Sequence, residues 1–488
     1  MSKQIEVPEL GAVALLRYAW VQLTSMRTAL ILLMLMAVAA IPGSLIPQRI
    51  TNPIAVRELF KTNRDLAIWY DRFSLFDVYG SPWFSAIYIL LFISLIGCVL
   101  PRSVEHYKSM LAKPPATPKN LNRLSHFHEF HGSQESMDRA KSWFAKNRFR
   151  VRVDAKTISA EKGYLRETGN LLFHLSLILV LLGVSFGSLF GMRGEAIVNV
   201  GERFISVPTS YDTLSFGKLS NDASLSPFQI RVDKFDAEYD PKTTSPRDYT
   251  AWVAVEIDGK SSQEILKVNK PLTFGQTRVY LQANGYSPVV TVRDSQQNVV
   301  FQGPVPFLPQ DGNLRSIGSI KVPDAKPSVG FVASFLPTNS RTASQGSISI
   351  YPELLDPKLL FSIWQGDLGL DSGIPQSIYK IDTTNLKQIG LGSVKPGGTY
   401  EYEGGSITLE TVVPWVNLQV VRDPGKNFAL VGGILAILGL LTSLYGRRRR
   451  IWIRIDDERI EVAGLAKNSA PGLENEIDKF ITAVKGEK

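Results

Sequence analysis

The stretch "GNLLFHLSLILVLLG", residues 169–183, sets one imidazole, His174, among apolar side chains. From Thr168 to Met192 there is no Asp, Glu, Lys or Arg. A neutral imidazole can ligate a metal or a haem iron through one ring nitrogen while a partner holds the other. An ionisable side chain inside a membrane span marks a functional site by default. The alternative is a histidine that hydrogen-bonds a neighbouring helix and joins the bundle. The residues alone leave both readings open. No other apolar run carries a histidine. An axial haem ligand at His174 would therefore need its opposite number from another chain.

Other chemistry-bearing residues give weaker patterns. In "HFHEFH" (126–131) a strand would put His126 and His128 on one face and His131 on the other, with no cysteine or acidic cluster nearby. A solvated edge is the simpler reading. The single cysteine, Cys98, lies in an apolar run, where a thiol behaves as a small buried hydrophobe. One cysteine cannot make a C-x-x-C or C-x-x-C-H pair, so the chain alone runs no dithiol exchange and is no c-type cytochrome. No G-x-S-x-G, H-E-x-x-H or Walker loop is present. Gly-rich "KPGGTYEYEGG" (395–405) reads as a hairpin loop, because no helix follows it to cradle a phosphate.

Four apolar windows must position these groups: 28–47, 82–101, 169–191 and 427–446. Each is close to the ~20 residues needed to cross ~30 Å of hydrocarbon. Pro42, Gly43 and Pro47 break the end of the first. That run begins late and lacks a small-residue cleavage pattern, so no cleaved leader is expected. The segment 102–168 carries 14 Lys/Arg against 7 Asp/Glu, and the fourth window runs into "RRRR" (447–450). Segment 192–426 has 22 Lys/Arg against 24 Asp/Glu. The positive-inside rule then predicts an integral membrane protein with both termini and the 102–168 loop cytoplasmic. His174 falls about five residues into the third span, roughly 7–8 Å deep on the cytoplasmic side. The net charge of +9 is explained by topology and anionic lipid headgroups, and gives little support for nucleic-acid binding.

The expected organisation is an interfacial segment 1–27, spans at 28–47 and 82–101 around an extracytoplasmic loop 48–81, a cytoplasmic loop 102–168, a span 169–191, an extracytoplasmic domain 192–426, a span 427–446 and a cytoplasmic tail 447–488. Residues 9–27 predict a mildly amphipathic surface helix. Ser81-Pro82 reads as an N-cap with proline at the first helical position. The cytoplasmic loop predicts a small α+β unit, with strands near 123–132 and 149–161 around a helix at 134–147. The tail predicts a hairpin and a terminal helix. In the large domain, 228–239, 249–259, 278–286, 287–303 and 405–421 alternate apolar and polar residues. Antiparallel sheets packed as a sandwich are expected there. With no disulfides to staple it, that domain must rest on its own core.

The segments "SMRTALILLMLMAVAAIPGSLIPQ", "DVYGSPWFSAIYILLFISLIGCVLPR", "GNLLFHLSLILVLLG", "VNKPLTFGQTRVYLQANGY" and "RRRRIWIRI" occur in that order. In order, spacing and topology the chain resembles the ResB/CcsB family of cytochrome c biogenesis proteins, the System II type. The resemblance implies delivery of haem b across a membrane and support for its attachment to the C-x-x-C-H of apocytochromes c. It implies a CcsA/ResC-type partner, a thioredoxin-like thiol reductant that keeps the substrate reduced, and a bacterial cytoplasmic or thylakoid membrane. His174 matches the family's intramembrane histidine and would be a haem axial ligand shared with the partner. Gln48, Asp77 and Trp83 lie in the resembling segments and are candidates for partner contact or structural support. The reacting atoms belong to haem and substrate, so this chain need not be an enzyme and is at most a subunit of a haem lyase complex. A membrane-anchored scaffold whose β domain docks a partner without handling haem is the competing expectation.

Overall fold

The computed structural model describes residues 11–49, 52–124, 126–342, 346–370, 377–466 and 472–486. Residues 9–10 of the expected surface helix, 125 of the expected first strand and 470–471 of the expected terminal helix lie outside that set. The chain forms two compact units, Met1–Val184 with Lys426–Lys488, and Ser185–Gly425.

In the first unit the helices are α1 (Ala12–Leu23), α2 (Met26–Leu45), α3 (Pro53–Thr62), α4 (Arg64–Arg72), α5 (Pro82–Leu111), α6 (Gln134–Lys146), α7 (Leu165–Phe190, ending in the second unit), α8 (Lys426–Tyr445) and α9 (Leu473–Lys485). Four of them, α2, α5, α7 and α8, are long and apolar enough to cross a membrane. Local chemistry sets their starts. Phe84 N–H donates to Ser81 Oγ at 3.2 Å, and Pro82 opens α5 without wasting an N–H. Ser25 caps α2 in the same way, through Thr28 N–H at 3.2 Å. Proline does not stop either of the first two apolar helices. Pro42 lies inside α2, and α5 runs through Pro101 to Leu111. A spanning helix keeps its backbone bonded internally because hydrocarbon offers no replacement, so one lost N–H is absorbed.

Helices α7 and α8 touch through their backbones. Gly169, Ser176 and Gly183 on α7, and Gly432 and Gly439 on α8, are the buried positions, each seven residues from the next. A Cβ at Gly439 would stand 2.6 Å from the Phe173 nitrogen and 2.8 Å from the Gly169 carbonyl oxygen. Small residues at this spacing let two helices close to contact without polar glue, and the seven-residue repeat keeps the seam on one face.

The expected cytoplasmic α+β unit and the expected tail hairpin are one structure. Strands β1 (His126–His131), β2 (Arg150–Asp154), β3 (Thr157–Lys162), β4 (Arg449–Asp456) and β5 (Arg459–Ala466) make one antiparallel sheet in the order β1-β5-β4-β3-β2. Its register pairs Ile451 with Ala160 and His128 with Val462. Met137 and Phe144 of α6 and Ile477 and Phe480 of α9 bury against Ile453, Ile460 and Val462. Neither piece alone has enough apolar surface for a core.

The second unit is mainly β, as alternation predicts. Its backbone is a pair of 18-residue strands, Thr277–Asp294 and Gly405–Arg422, antiparallel from Thr277↔Arg422 to Asp294↔Gly405. The runs read as separate strands at 278–286 and 287–303 are thus one continuous strand followed by a short one at Val299–Pro304. No break falls between Tyr286 and Ser287; the strand instead carries bulges at Leu281/Ala283 and Val289/Val290. The bulges also shift phase, so this long sheet serves two cores. One half buries Val279, Leu281, Val416 and Leu418 with Ile230 and Val253 of a four-stranded sheet. The other buries Val290, Val292, Ile407 and Leu409 with Phe331 and Ile363 of a five-stranded sheet. Trp415 sits between them, fully buried, and its indole N–H is shared by the Tyr286 and Phe307 carbonyls, each at 3.2 Å. Its ring lies across Gly285, where any Cβ would collide with it. The "NGY" of one resembling segment and the distant Trp415 are therefore one packing device.

Candidate functional site

His174 is the tenth residue of α7. Its Nδ1 lies 2.8 Å from the Asn170 carbonyl oxygen, one helical turn back. A carbonyl only accepts, so Nδ1 carries the proton and Nε2 keeps its lone pair. The Phe173 ring meets the imidazole edge-on, with centroids 5.3 Å apart. Among the described residues Nε2 has no hydrogen-bond partner. At 100° per residue the side chain points about 140–160° away from the Gly169–Ser176 seam that α8 covers. The free nitrogen thus sits on a face of α7 that α8 leaves uncovered.

One axial position for an iron fits this arrangement: a tautomer fixed by a second contact, and an outward lone pair on a rigid helix. A second ligand is missing from the described residues, among which no three His, Cys, Asp or Glu gather into a metal-sized group. Cys98 is a free, half-buried thiol on α5. His126, His128 and His131 line β1, an edge strand, and face no cluster.

Gln48, Asp77 and Trp83 fold the segment between α2 and α5. The Gln48 amide donates to the Ile46 and Leu75 carbonyls at 2.9 and 3.0 Å, and its oxygen accepts from Val78 N–H at 3.0 Å. The Trp83 indole donates to the Phe73 carbonyl at 2.9 Å. The Asp77 carboxylate packs on the Cα of Gly80, where a Cβ would come within 2.5 Å of it. Val56, Ala67 and Phe76 form the small core they enclose. All three side chains serve backbone groups, and the structure does not bring them to His174.

Sequence reasoning missed a polar network where α5, α7 and the sheet meet. Glu161, on β3, is 1% exposed. It accepts from the Arg448 guanidinium, from Arg450 Nε at 2.9 Å and from the Tyr164 hydroxyl at 2.9 Å. Arg448 also reaches Glu167 at 2.7 Å and stacks over the Tyr164 ring at 4.5 Å; Arg150 lies over the same ring at 4.6 Å. Glu167 in turn lies 3.6 Å from His106 Nδ1, whose Nε2 meets Thr168 Oγ1 at 3.0 Å. Burial alone would raise the Glu161 pKa. The hydrogen bonds from Arg448, Arg450 and Tyr164 together outweigh it, and the carboxyl titrates below its usual value. His106 escaped notice because it lies on the extension of α5 past Pro101. "RRRR" gave a charge signal only; nothing in spacing says that Arg448 and Arg450 face a carboxylate on β3.

Fold and site first define a class: a chain with four helices long and apolar enough to cross a membrane, a large double β unit, and one imidazole nitrogen left open on one of those helices. The profile of the ResB-like family matches residues 26–478. The chain belongs to that family. A Prochlorococcus marinus (strain NATL1A) protein is 24% identical over 469 residues, covering 94% of this chain and 97% of its own length. A Synechococcus sp. (strain CC9311) protein is 25% identical over 488 residues, covering 96% and 98%. A Crocosphaera subtropica (strain ATCC 51142 / BH68) protein is 22% identical over 481 residues, covering 95% and 93%. All three are named cytochrome c biogenesis protein CcsB.

Proposed function

We propose that this chain acts in cytochrome c biogenesis as the subunit that, with a CcsA/ResC-type partner, passes haem across a membrane and supports its attachment to apocytochrome c. One observation carries the proposal: His174 has one nitrogen tied to Asn170 and the other, without a hydrogen-bond partner among the described residues, on a helix face that α8 does not cover. In this reading Nε2 takes one axial position of the cargo iron and a partner histidine takes the other. Asn170 keeps the ring in the ligating tautomer, and the apolar wall of α7 excludes water. The charge bias of the loops supports a cytoplasmic β1–β5 sheet and an extracytoplasmic β unit.

The β unit would receive the apocytochrome. The strand Lys260–Lys267 ends its four-stranded sheet and leaves an edge for an extended peptide to add to. Fluorescence anisotropy of a labelled C-x-x-C-H peptide with the full chain in detergent tests this. Saturable binding supports it, and its absence overturns it.

The central test is a visible spectrum of the complex co-expressed with its partner. His174→Ala should abolish the Soret band, and added imidazole should restore it. An undiminished band in His174→Ala, with cytochrome c still matured, would overturn haem ligation and favour the scaffold reading.

A further inference from the structure

A groove of about 750 Å³ opens between the last turn of α8 and the edge of the sheet. One wall is apolar: Leu441, Leu444 and Tyr445. The other is cationic: Lys162 at the end of β3, and Arg447 and Arg449 at the start of β4. Gly163 forms the floor. Its φ is +97°, and a Cβ there would collide with the Arg447 carbonyl oxygen, so the β3–α7 turn closes directly under the cations. We infer that this groove holds the headgroup of an acidic phospholipid.

The apolar wall belongs to a helix long enough to span a bilayer, and it is that helix's final turn. The groove therefore straddles a hydrocarbon boundary by construction, with acyl-compatible surface on one side and positive charge on the other. Leu444 and Tyr445 are 69% and 84% exposed, so the apolar wall is open to chains lying alongside. Arg449 is ion-paired with Glu476, which cancels one charge. Lys162 lies 5.3 Å over the Phe149 ring and has no carboxylate partner among the described residues. The carboxyl end of α8 and the amino end of α7 lie side by side, with Gly446 against Arg166, so their dipoles offset each other. Side-chain charge then decides the sign of the groove, and it is positive. A monoanionic phosphodiester on two acyl chains meets both walls at once; a free anion meets only one. The inference rests on the chain lying in a bilayer and not on haem handling, so the two readings fail separately.

The test uses the full-length protein in a non-ionic detergent, with native mass spectrometry during titration by phosphatidylglycerol or phosphatidylcholine. The wild type should retain one phosphatidylglycerol and no phosphatidylcholine. The double variant K162Q/R447Q should bind phosphatidylglycerol about 25-fold more weakly, at roughly fivefold per cation removed. The control K141Q/K479Q removes the same charge from exposed positions on α6 and α9 and should bind like the wild type. Should the double variant not fold, K162Q alone should weaken binding about fivefold. Equal retention of both lipids, or equal loss in the control, overturns the assignment. So does loss of haem absorption in K162Q/R447Q with lipid binding unchanged, which would give the groove to porphyrin carboxylates.

Discussion

His106 and His174 are the same residue type on neighbouring apolar helices, and their surroundings differ completely. At His106 both ring nitrogens are engaged, by Thr168 and Glu167, and the chain of contacts continues through Arg448 to the buried Glu161. At His174 one nitrogen is tied to its own helix and the other meets nothing among the described residues. A network whose polar groups are all matched can hold a sheet against a bundle, but it has no valence left for a ligand. An imidazole fixed at one end and open at the other is costly in an apolar setting unless something takes the open end. The difference teaches that, under the proposed function, the unsatisfied group and not the richest cluster of polar residues marks the site.

The sharpest way to break this contrast is at Glu161. Glu161→Ala strands Arg448 and Arg450 without their buried counter-charge and should cost about 3–5 kcal/mol, read by thermal unfolding in detergent. A loss under ~1 kcal/mol would mean that the network does not anchor the unit. Gly439→Val forces the α7–α8 seam apart and should cost about 1–3 kcal/mol, with neutral effect if the two backbones are not in contact. His106→Gln loses hydrogen bonds worth about 1 kcal/mol and should leave haem absorption in the complex intact. Loss of the Soret band in that variant would move the ligand from His174 to His106. The smallest stability effect belongs to His174→Ala, within about 1 kcal/mol, and unfolding of that variant would make the residue structural.

Acid sharpens the same comparison. Glu161 is held below its ordinary value of 4.5. Its folded form therefore binds fewer protons than the unfolded chain, and its stabilisation is fully present above that value. It is lost as pH falls from about 4.5 through the lowered folded pKa. Unfolding measured from pH 6 to pH 3 should steepen below 4.5 in the wild type and flatten in Glu161→Gln.

How much of this was legible in advance follows the range of the interactions. The four apolar helices, the Ser81 cap, the alternating strands and the odd placement of His174 depend on residues within about a turn or two of one another, and a single pass along the chain finds them. The strand break expected after Tyr286 is continuous strand, which only pairing with the Gly405–Arg422 strand reveals. Gln48, Asp77 and Trp83 stood out by their segments, yet their partners are backbone groups of the folded loop.

The sequence by itself determined which stretches are apolar enough for a bilayer, which are strands, where charge accumulates, and that a lone imidazole sits in the third apolar run. Only the tertiary structure decided that β1 and β3 pair with a hairpin 287 (Lys162 to Arg449) to 338 (His126 to Gly464) residues further on, that Glu161 meets Arg448, and that the free nitrogen of His174 points away from α8. Hydropathy and alternation are properties of neighbours along the chain. The meeting of a carboxylate with a guanidinium, and the covering of one helix face but not another, depend on how distant segments pack to bury their apolar surface.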